Sequence, residues 1–357
     1  MRIAQVAPLY EAVPPALYGG TERVVSYLTE ALVALGHDVT LFASADSQTS
    51  ARLVAPVPRA LRLDPNCRDP LAHHVRMLGE VYRRAASFDV IHCHTDYLGL
   101  PLAAAASTPT LLTLHGRLDM PELAPLYAAH RGVPLVSISD AQRRPLPDAA
   151  WIATVHHGVP IASLPFSATR GDYLVFLGRI SPEKRPDVAI RVARRAGVRL
   201  RIAAKVDPVD RDYFGRVVEP LLDHPSIEFL GEIGEHEKPA LLGGALALLF
   251  PIDWPEPFGL AMIEALACGT PVITRPCGSV PEVITDGVTG CVASSEDDLV
   301  AAVARAARLD RAVCRAEVER RFDAAGMAQQ YVAVYRRMLA RRREAGVVHG
   351  HAAEAVA

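Results

Sequence analysis

Lysine is nearly absent from this 357-residue chain: of 38 basic residues only Lys184, Lys205 and Lys238 are lysine, the rest arginine. Such a skew reflects genome composition, and it singles out any position where lysine is kept. Net charge is also missing. The 38 basic residues face 40 acidic ones, a formal charge of -2, so no basic field directs the protein to nucleic acid. Six cysteines (Cys67, Cys93, Cys268, Cys277, Cys291, Cys314) form no Cys-x-x-Cys pair, against a zinc ribbon or a disulfide framework. The longest stretch without Asp, Glu, Lys or Arg, Tyr97 to Gly116, holds two prolines and several hydroxyl residues and does not read as a membrane span. The opening Met-Arg-Ile-Ala-Gln-Val-Ala-Pro is too short an apolar run for a secretory signal, so a soluble cytoplasmic protein is expected. No G-x-G-x-x-G follows the first strand, which removes the dinucleotide fingerprint of nicotinamide enzymes.

Half of the residues are apolar, enough for two cored domains at this length. Short apolar runs alternate with amphipathic stretches, the pattern of parallel α/β architecture. Strands are predicted at Arg2 to Val6, Val39 to Ala43, Val90 to His92, Thr110 to Leu114 and Pro134 to Ile138. The pattern restarts after about residue 165, with strands at Tyr173 to Leu177, Leu200 to Ala204, Ile227 to Leu230, Ala247 to Phe250 and Pro271 to Thr274. Helices are expected from Thr21, as cap, to Leu35, and from Pro186 to Ala196 before Gly197. Two Rossmann-like domains follow, residues 1–165 and 166–327, with a hinge at His156 to Pro160. A C-terminal helix over about 328–345 returns to the first domain, and 346–357 is expected to be a disordered tail. The arginine run Arg336-Arg337 to Arg343 reads as a solvated helix face or a contact with an anionic membrane surface.

Ligands of parallel sheets bind beyond the carboxyl ends of the strands. Three segments there carry polar residues of interest. Gly178-Arg179, with Lys184 just before a helix, sets two cations near a helix N-terminus, suited to a diphosphate or simply solvated. Glu256 and Glu264 flank a helix expected from Phe258 to Ala267. Their eight-residue separation corresponds to about 12 Å along a helix axis. That exceeds the roughly 5–9.5 Å between the carboxyls of a glycoside hydrolase. It fits two contacts on one long ligand, or a capping carboxylate plus a helix-face residue. In the first reading Glu256 lies among free N–H groups of Phe258 to Leu260. Gly19-Gly20 after the first strand permits either a close backbone approach or a plain turn.

Together these segments resemble the family 4 glycosyltransferases, retaining nucleotide-sugar enzymes of the GT-B fold, over nearly the whole chain. The resemblance implies that Arg179 and Lys184 hold the donor diphosphate, that Glu256 contacts the transferred sugar and Glu264 the ribose, and that Gly19 and Gly20 approach the phosphates. His115, in Thr113-Leu114-His115-Gly116, matches the histidine that the family carries close to the sugar. Gly178, Ile233, Phe258, Gly259 and Leu260 complete the expected donor contacts, and Lys205 is a secondary phosphate candidate. Gly278-Ser279 departs from a frequent Gly-Gly, and His157-Gly158 from an Asn-Gly hinge. The implied reaction is metal-independent hexose transfer from a nucleoside-diphosphate sugar, a UDP-sugar first, to a hydroxyl acceptor, within carbohydrate metabolism. Asp210-Arg211-Asp212 reads as acidic residues at a helix start and not as a metal motif, and His92-Cys93-His94 lacks a third ligand. A 2-epimerase of the same fold and a non-enzymatic nucleotide-sugar binder are the alternatives.

Overall fold

The computed structural model describes the backbone of residues 1–354 and the side chains of these residues apart from 343 and 345–354. Strands β1 (Arg2–Val6), β2 (Asp38–Phe42), β3 (Arg52–Val54), β4 (Val90–Cys93), β5 (Thr110–Thr113), β6 (Leu135–Ser137) and β7 (Trp151–Thr154) form one sheet in the order β3-β2-β1-β4-β5-β6-β7. Strands β8 (Tyr173–Arg179), β9 (Arg199–Lys205), β10 (Ile227–Gly231), β11 (Ala247–Phe250), β12 (Val272–Thr274) and β13 (Gly290–Val292) form a second, ordered β10-β9-β8-β11-β12-β13. Every neighbouring pair is parallel. Strands covered on both faces are predominantly apolar, as β11 and β12 are, while β1 and β4 carry one buried polar residue each, Gln5 and His92. In each sheet the strand order reverses beside the first strand of the domain, where crevices open in such folds.

All ten anticipated strands are present, joined by β3, β7 and β13. The Gly20–Ala34 helix is capped by Gly19 with no side-chain bond, so Thr21 is not its cap as expected. Gly36 and Gly197, both with left-handed φ (80° and 67°), follow the ends of the Gly20–Ala34 and Pro186–Ala196 helices. The expected C-terminal helix begins earlier, at Ala324, and extends to Glu354, so it takes in most of the stretch expected as a disordered tail; residues 355–357 lie outside the described ones. Its Met327, Tyr331, Val332 and Tyr335 pack with Ile3, Val24, Leu28, Val90 and Leu111 of the first domain.

The chain thus crosses between domains twice, and the crossings touch. Val159 N–H donates to Phe322 O at 2.8 Å, and Ala324 N–H donates to Val159 O at 3.0 Å. A Cβ at Gly158 would lie 2.5 Å from Asp323 O and 2.9 Å from Ala324 N, so only glycine admits this approach. Backbone opposes backbone there, with no flexible side chain to yield. Gly158→Ala is expected to destabilise the protein by about 1–3 kcal/mol, as overpacking does, measured by urea unfolding. Gly326→Ala, a helical site with nothing within 4 Å of the added Cβ, is the control and should be neutral or gain up to about 1 kcal/mol.

Candidate active site

A cavity of about 780 Å³ lies between the two sheets. Gly19, Gly20, His115, Gly178, Arg179, Lys184, Lys205, Ile233, Glu256, Phe258, Gly259, Leu260 and Glu264, the positions expected at the donor, line it. The domains come close around it: a Cβ at Gly20 would meet Leu260 Cδ1 at 3.7 Å, while one at Gly178 would meet nothing within 4 Å. Tyr18 N–H donates to Glu232 at 2.8 Å, and Arg23 pairs with Glu235 across the same gap.

The cations are not free. Lys184 pairs with Glu256, and its ammonium lies 5.3 Å over the Phe250 ring and 5.0 Å over Trp254. Arg179, at the end of β8, lies 3.7 Å from Asp207 and 3.6 Å from Asp210. Lys205 pairs with Asp207 at 2.7 Å and sits 5.2 Å over the Tyr18 ring. Lys238, which the motifs did not single out, pairs with Glu264 at 2.7 Å and Glu235 at 3.0 Å. The scarcity of lysine was the available signal for it, since all three lysines line this one cavity.

Glu256 is not at a helix start. The helix covers Leu260–Ala267, later than expected, because Pro255 and Pro257 offer no N–H and Gly259 takes a left-handed φ of 81°. The axial spacing inferred for Glu256 and Glu264 therefore does not apply. Instead Glu256 accepts from Trp254 Nε1 at 2.7 Å besides holding Lys184. The N–H groups of Phe258, Gly259 and Leu260 have no hydrogen-bond partner among the described residues, which leaves them as donors for an anion. Gly278 packs beneath this loop at φ 57°; a Cβ there would lie 2.3 Å from Glu256 N and O. Ser279, where the departure from Gly-Gly falls, donates from its N–H to Glu256 O at 2.9 Å and from Oγ to Phe258 O at 2.8 Å. The departure thus acts through the loop that carries Glu256.

The first domain contributes histidines. His94 Nδ1 and His115 Nε2 are 2.9 Å apart, and His94 Nε2 meets Gln5 Oε1 at 2.7 Å. His157 stacks on His115 with ring centroids 5.2 Å apart and planes 19° apart. Burial pushes His115 down to about 3, and burial also holds His92, His94 and His157 well below the ordinary imidazole value, so all four rings are neutral at pH 7. His156, in the expected hinge, bonds Glu282 at 3.1 Å, and Glu282 accepts the N–H groups of Asp140 and Ala141 at 2.8 and 2.7 Å. Burial opposes ionisation of Glu282, yet these bonds hold its carboxyl below the ordinary value. Glu22 lines the cavity with no ion pair among the described residues, and burial raises its carboxyl to about 7.

Asp210 faces Arg179, whereas Asp212 pairs with Arg216 at the surface, so the two carboxylates do not converge. His92 bonds Thr113 and Tyr335 and does not share a ligand geometry with Cys93. Among the described residues no group of three or more His, Cys, Asp and Glu is placed to hold a metal ion, and no helix is long and apolar enough to cross a membrane.

Residues 165–326 match the family described as "Glycosyl transferases group 1" and residues 18–174 match "Glycosyltransferase Family 4". A D-inositol 3-phosphate glycosyltransferase of Mycolicibacterium paratuberculosis is 33% identical over 130 residues, which is 35% of this chain and 29% of that protein. Its counterpart from Mycobacterium bovis is 34% identical over 128 residues, 35% of this chain and 26% of that protein. The aligned segment therefore spans under a third of these relatives' length. Among solved structures, AviGT4, a glycosyltransferase involved in Avilamycin A biosynthesis, is 25% identical with a TM-score of 0.73, covering 95% of this chain and 98% of that one. Sucrose-phosphate synthase from Thermosynechococcus elongatus (19% identity, TM-score 0.79, 95% and 99% covered) shares the fold. So does Anabaena HepE in complex with UDP and glucose (18%, 0.73, 94% and 99%).

The neutral histidines set an acid limit on stability. In the unfolded chain each histidine takes up a proton near pH 6.5, whereas the folded His94 does not. The unfolded state then binds more protons, so stability is full above about pH 6.5 and falls as pH drops below it. Urea unfolding at pH 7.5 and 5.5 should show this loss, and His94→Gln should lessen it by about 1 kcal/mol, one group's share over one pH unit. An equal loss in both proteins would mean that His94 is charged when folded.

Proposed function

We infer that this chain, which belongs to the family 4 glycosyltransferases and has their GT-B fold, transfers a hexose from a UDP-sugar to a hydroxyl acceptor with retention and without a metal ion. The observation that carries this reading is the convergence of Arg179, Lys184, Lys205 and the free N–H groups of Phe258 to Leu260 on one cavity that also holds Glu256 and Glu264. UDP is the first choice of nucleotide because a neighbour of the same fold binds UDP and glucose. The partial relatives are named for D-inositol 3-phosphate, but the short alignment supports only a hydroxyl compound as acceptor.

In this mechanism the acceptor hydroxyl forms its bond to the anomeric carbon on the face from which the diphosphate departs. The carbon–oxygen bond to the diphosphate breaks, and the hydroxyl proton passes to a leaving phosphate oxygen. Charge grows on the diphosphate as this happens, and fixed donors aimed at it stabilise the transition state by several kcal/mol. Lys184 must exchange Glu256 for phosphate to take part. That exchange leaves the Glu256 carboxylate beside the sugar ring, where positive charge develops. Three cations at the diphosphate end supply the neutralisation that a divalent ion would otherwise provide. Glu264, held by Lys238, retains a second oxygen for the ribose hydroxyls.

Arg179→Ala and Lys184→Ala should each lower turnover about 10- to 1000-fold, because each loses a charge-assisted contact that strengthens as the diphosphate leaves. A chelator should leave the rate unchanged; loss of activity restored by added magnesium would assign a metal.

Calorimetric titration with UDP separates the two glutamates. Glu264→Gln should weaken UDP roughly tenfold or more, since a hydrogen bond to a charged group is lost. Glu256→Gln should leave UDP affinity unchanged or raise it, because Lys184 loses its competing carboxylate, while turnover falls. The reverse order would exchange the two roles, and no effect from either would place the nucleotide elsewhere.

A further inference from the structure

Gln5, in β1, is buried behind the cavity, and His94, just beyond β4, is buried at its wall; both bear on what His115 presents there. Gln5 Oε1 can only accept, so at 2.7 Å His94 Nε2 must carry its proton. A neutral His94 protonated on Nε2 has a bare Nδ1. At 2.9 Å that Nδ1 must receive a proton from His115 Nε2. His115 then has a bare Nδ1, which is buried and has no partner among the described residues. In this amide orientation Gln5 Nε2 donates to Tyr335 OH at 3.2 Å, and that hydroxyl, which can donate as well as accept, lies 2.8 Å from His92 Nδ1. Burial of all three rings, stated above, removes the doubly protonated alternatives.

We propose that Gln5 and His94 are positioning residues that hold His115 as its Nε2-protonated tautomer, so that its bare Nδ1 accepts a hydrogen bond from a hydroxyl of the transferred sugar. The proposal rests on the reading of the cleft as a nucleotide-sugar site. It gives His115 a single polarity: an acceptor for a sugar hydroxyl and not a proton donor to the leaving group. The polarity is set at a distance. Turning the Gln5 amide over would place donors where the acceptors are and reverse each proton along the chain, leaving His115 with an N–H toward the sugar. A ligand that offers only acceptors at that point would then be favoured.

The test is nitrogen NMR of the full-length protein labelled in its 13 histidines, with His94 and His115 assigned by substitution. Ligand-free protein should show both rings protonated on Nε2 and bare on Nδ1; a proton on Nδ1 of either overturns the proposal. His94→Leu should release His115 into an average of the two tautomers, whereas His94→Gln, which can still accept from His115, should restore the wild-type pattern. Gln5→Leu gives the same readout if His94→Leu does not fold. An unchanged His115 signature in these leucine variants overturns the positioning role. UDP-glucose should shift His115 Nδ1 and UDP should not. A shift with UDP alone, or with neither ligand in protein that binds UDP, overturns the sugar contact. UDP affinity should stay within about twofold across the variants. Failure of the wild type to bind UDP would overturn the reading of the cleft and leave the tautomer result standing on its own.

Discussion

The contact between the two interdomain crossings, Gly158-Val159 against Phe322 to Ala324, is the constraint on which the rest of the molecule depends. Two sheets that share no strand need something to fix how their open ends face each other. A single linker would leave that geometry loose, whereas two backbone segments bonded to each other fix the point at which the domains join. Glu282 adds a second tie away from that point, reaching from the second domain to the Asp140–Arg143 turn and to His156. Tyr18 with Glu232 and Arg23 with Glu235 tie the two walls of the cavity directly as well. The final helix, whose apolar face covers the first sheet, starts from the contact between the crossings.

Within that frame the cavity is electrostatically closed when nothing is bound. Lys184, Lys205, Lys238 and Arg179 each have a carboxylate partner, and Asp207 serves both Lys205 and Arg179. Such pairing keeps a half-buried group of cations from repelling one another and spares each a bare desolvated charge. It also means that an incoming anion competes with the protein's own carboxylates. Selectivity then comes from shape as well as charge: only a ligand that satisfies the displaced glutamates along with the freed cations gains from the exchange. A sugar diphosphate has hydroxyls and phosphates in that arrangement.

Much of this was legible in the chain. Apolar runs such as Val90-Ile91 and Ala247 to Phe250 announce strands covered on both faces, and the residues just after them line the cavity as such sheets require. Three of the four edge strands were not legible: Arg52–Val54 and Gly290–Val292 have three residues each and Trp151–Thr154 four, too few to show a period, whereas the fourth, Ile227–Gly231, has five and was anticipated. The loop at Glu256 misled because apolar spacing runs from Phe258 onward, while two prolines and a left-handed glycine delay the helix. Pairings such as Lys184 with Glu256, 72 residues apart, have no local signature. The histidine chain lies between these cases. His92 and His94 alternate along one strand end and His115 follows the neighbouring strand, so their proximity was readable, but the direction of each proton required the Gln5 amide and the measured distances.

The placement of the lysines also decides how the protein meets the world of amine chemistry. Acylating reagents, aldehydes and isocyanates find side-chain targets at three positions, and all three open on the same cavity. The guanidinium groups that dominate the outer surface react far less readily, which leaves the Met1 α-amine as the other amine target. Attachment to a bead or a dye through side-chain amines would therefore fall at the cleft, in competition with the α-amine of Met1, and an anion seated there would shield the lysines from such labelling.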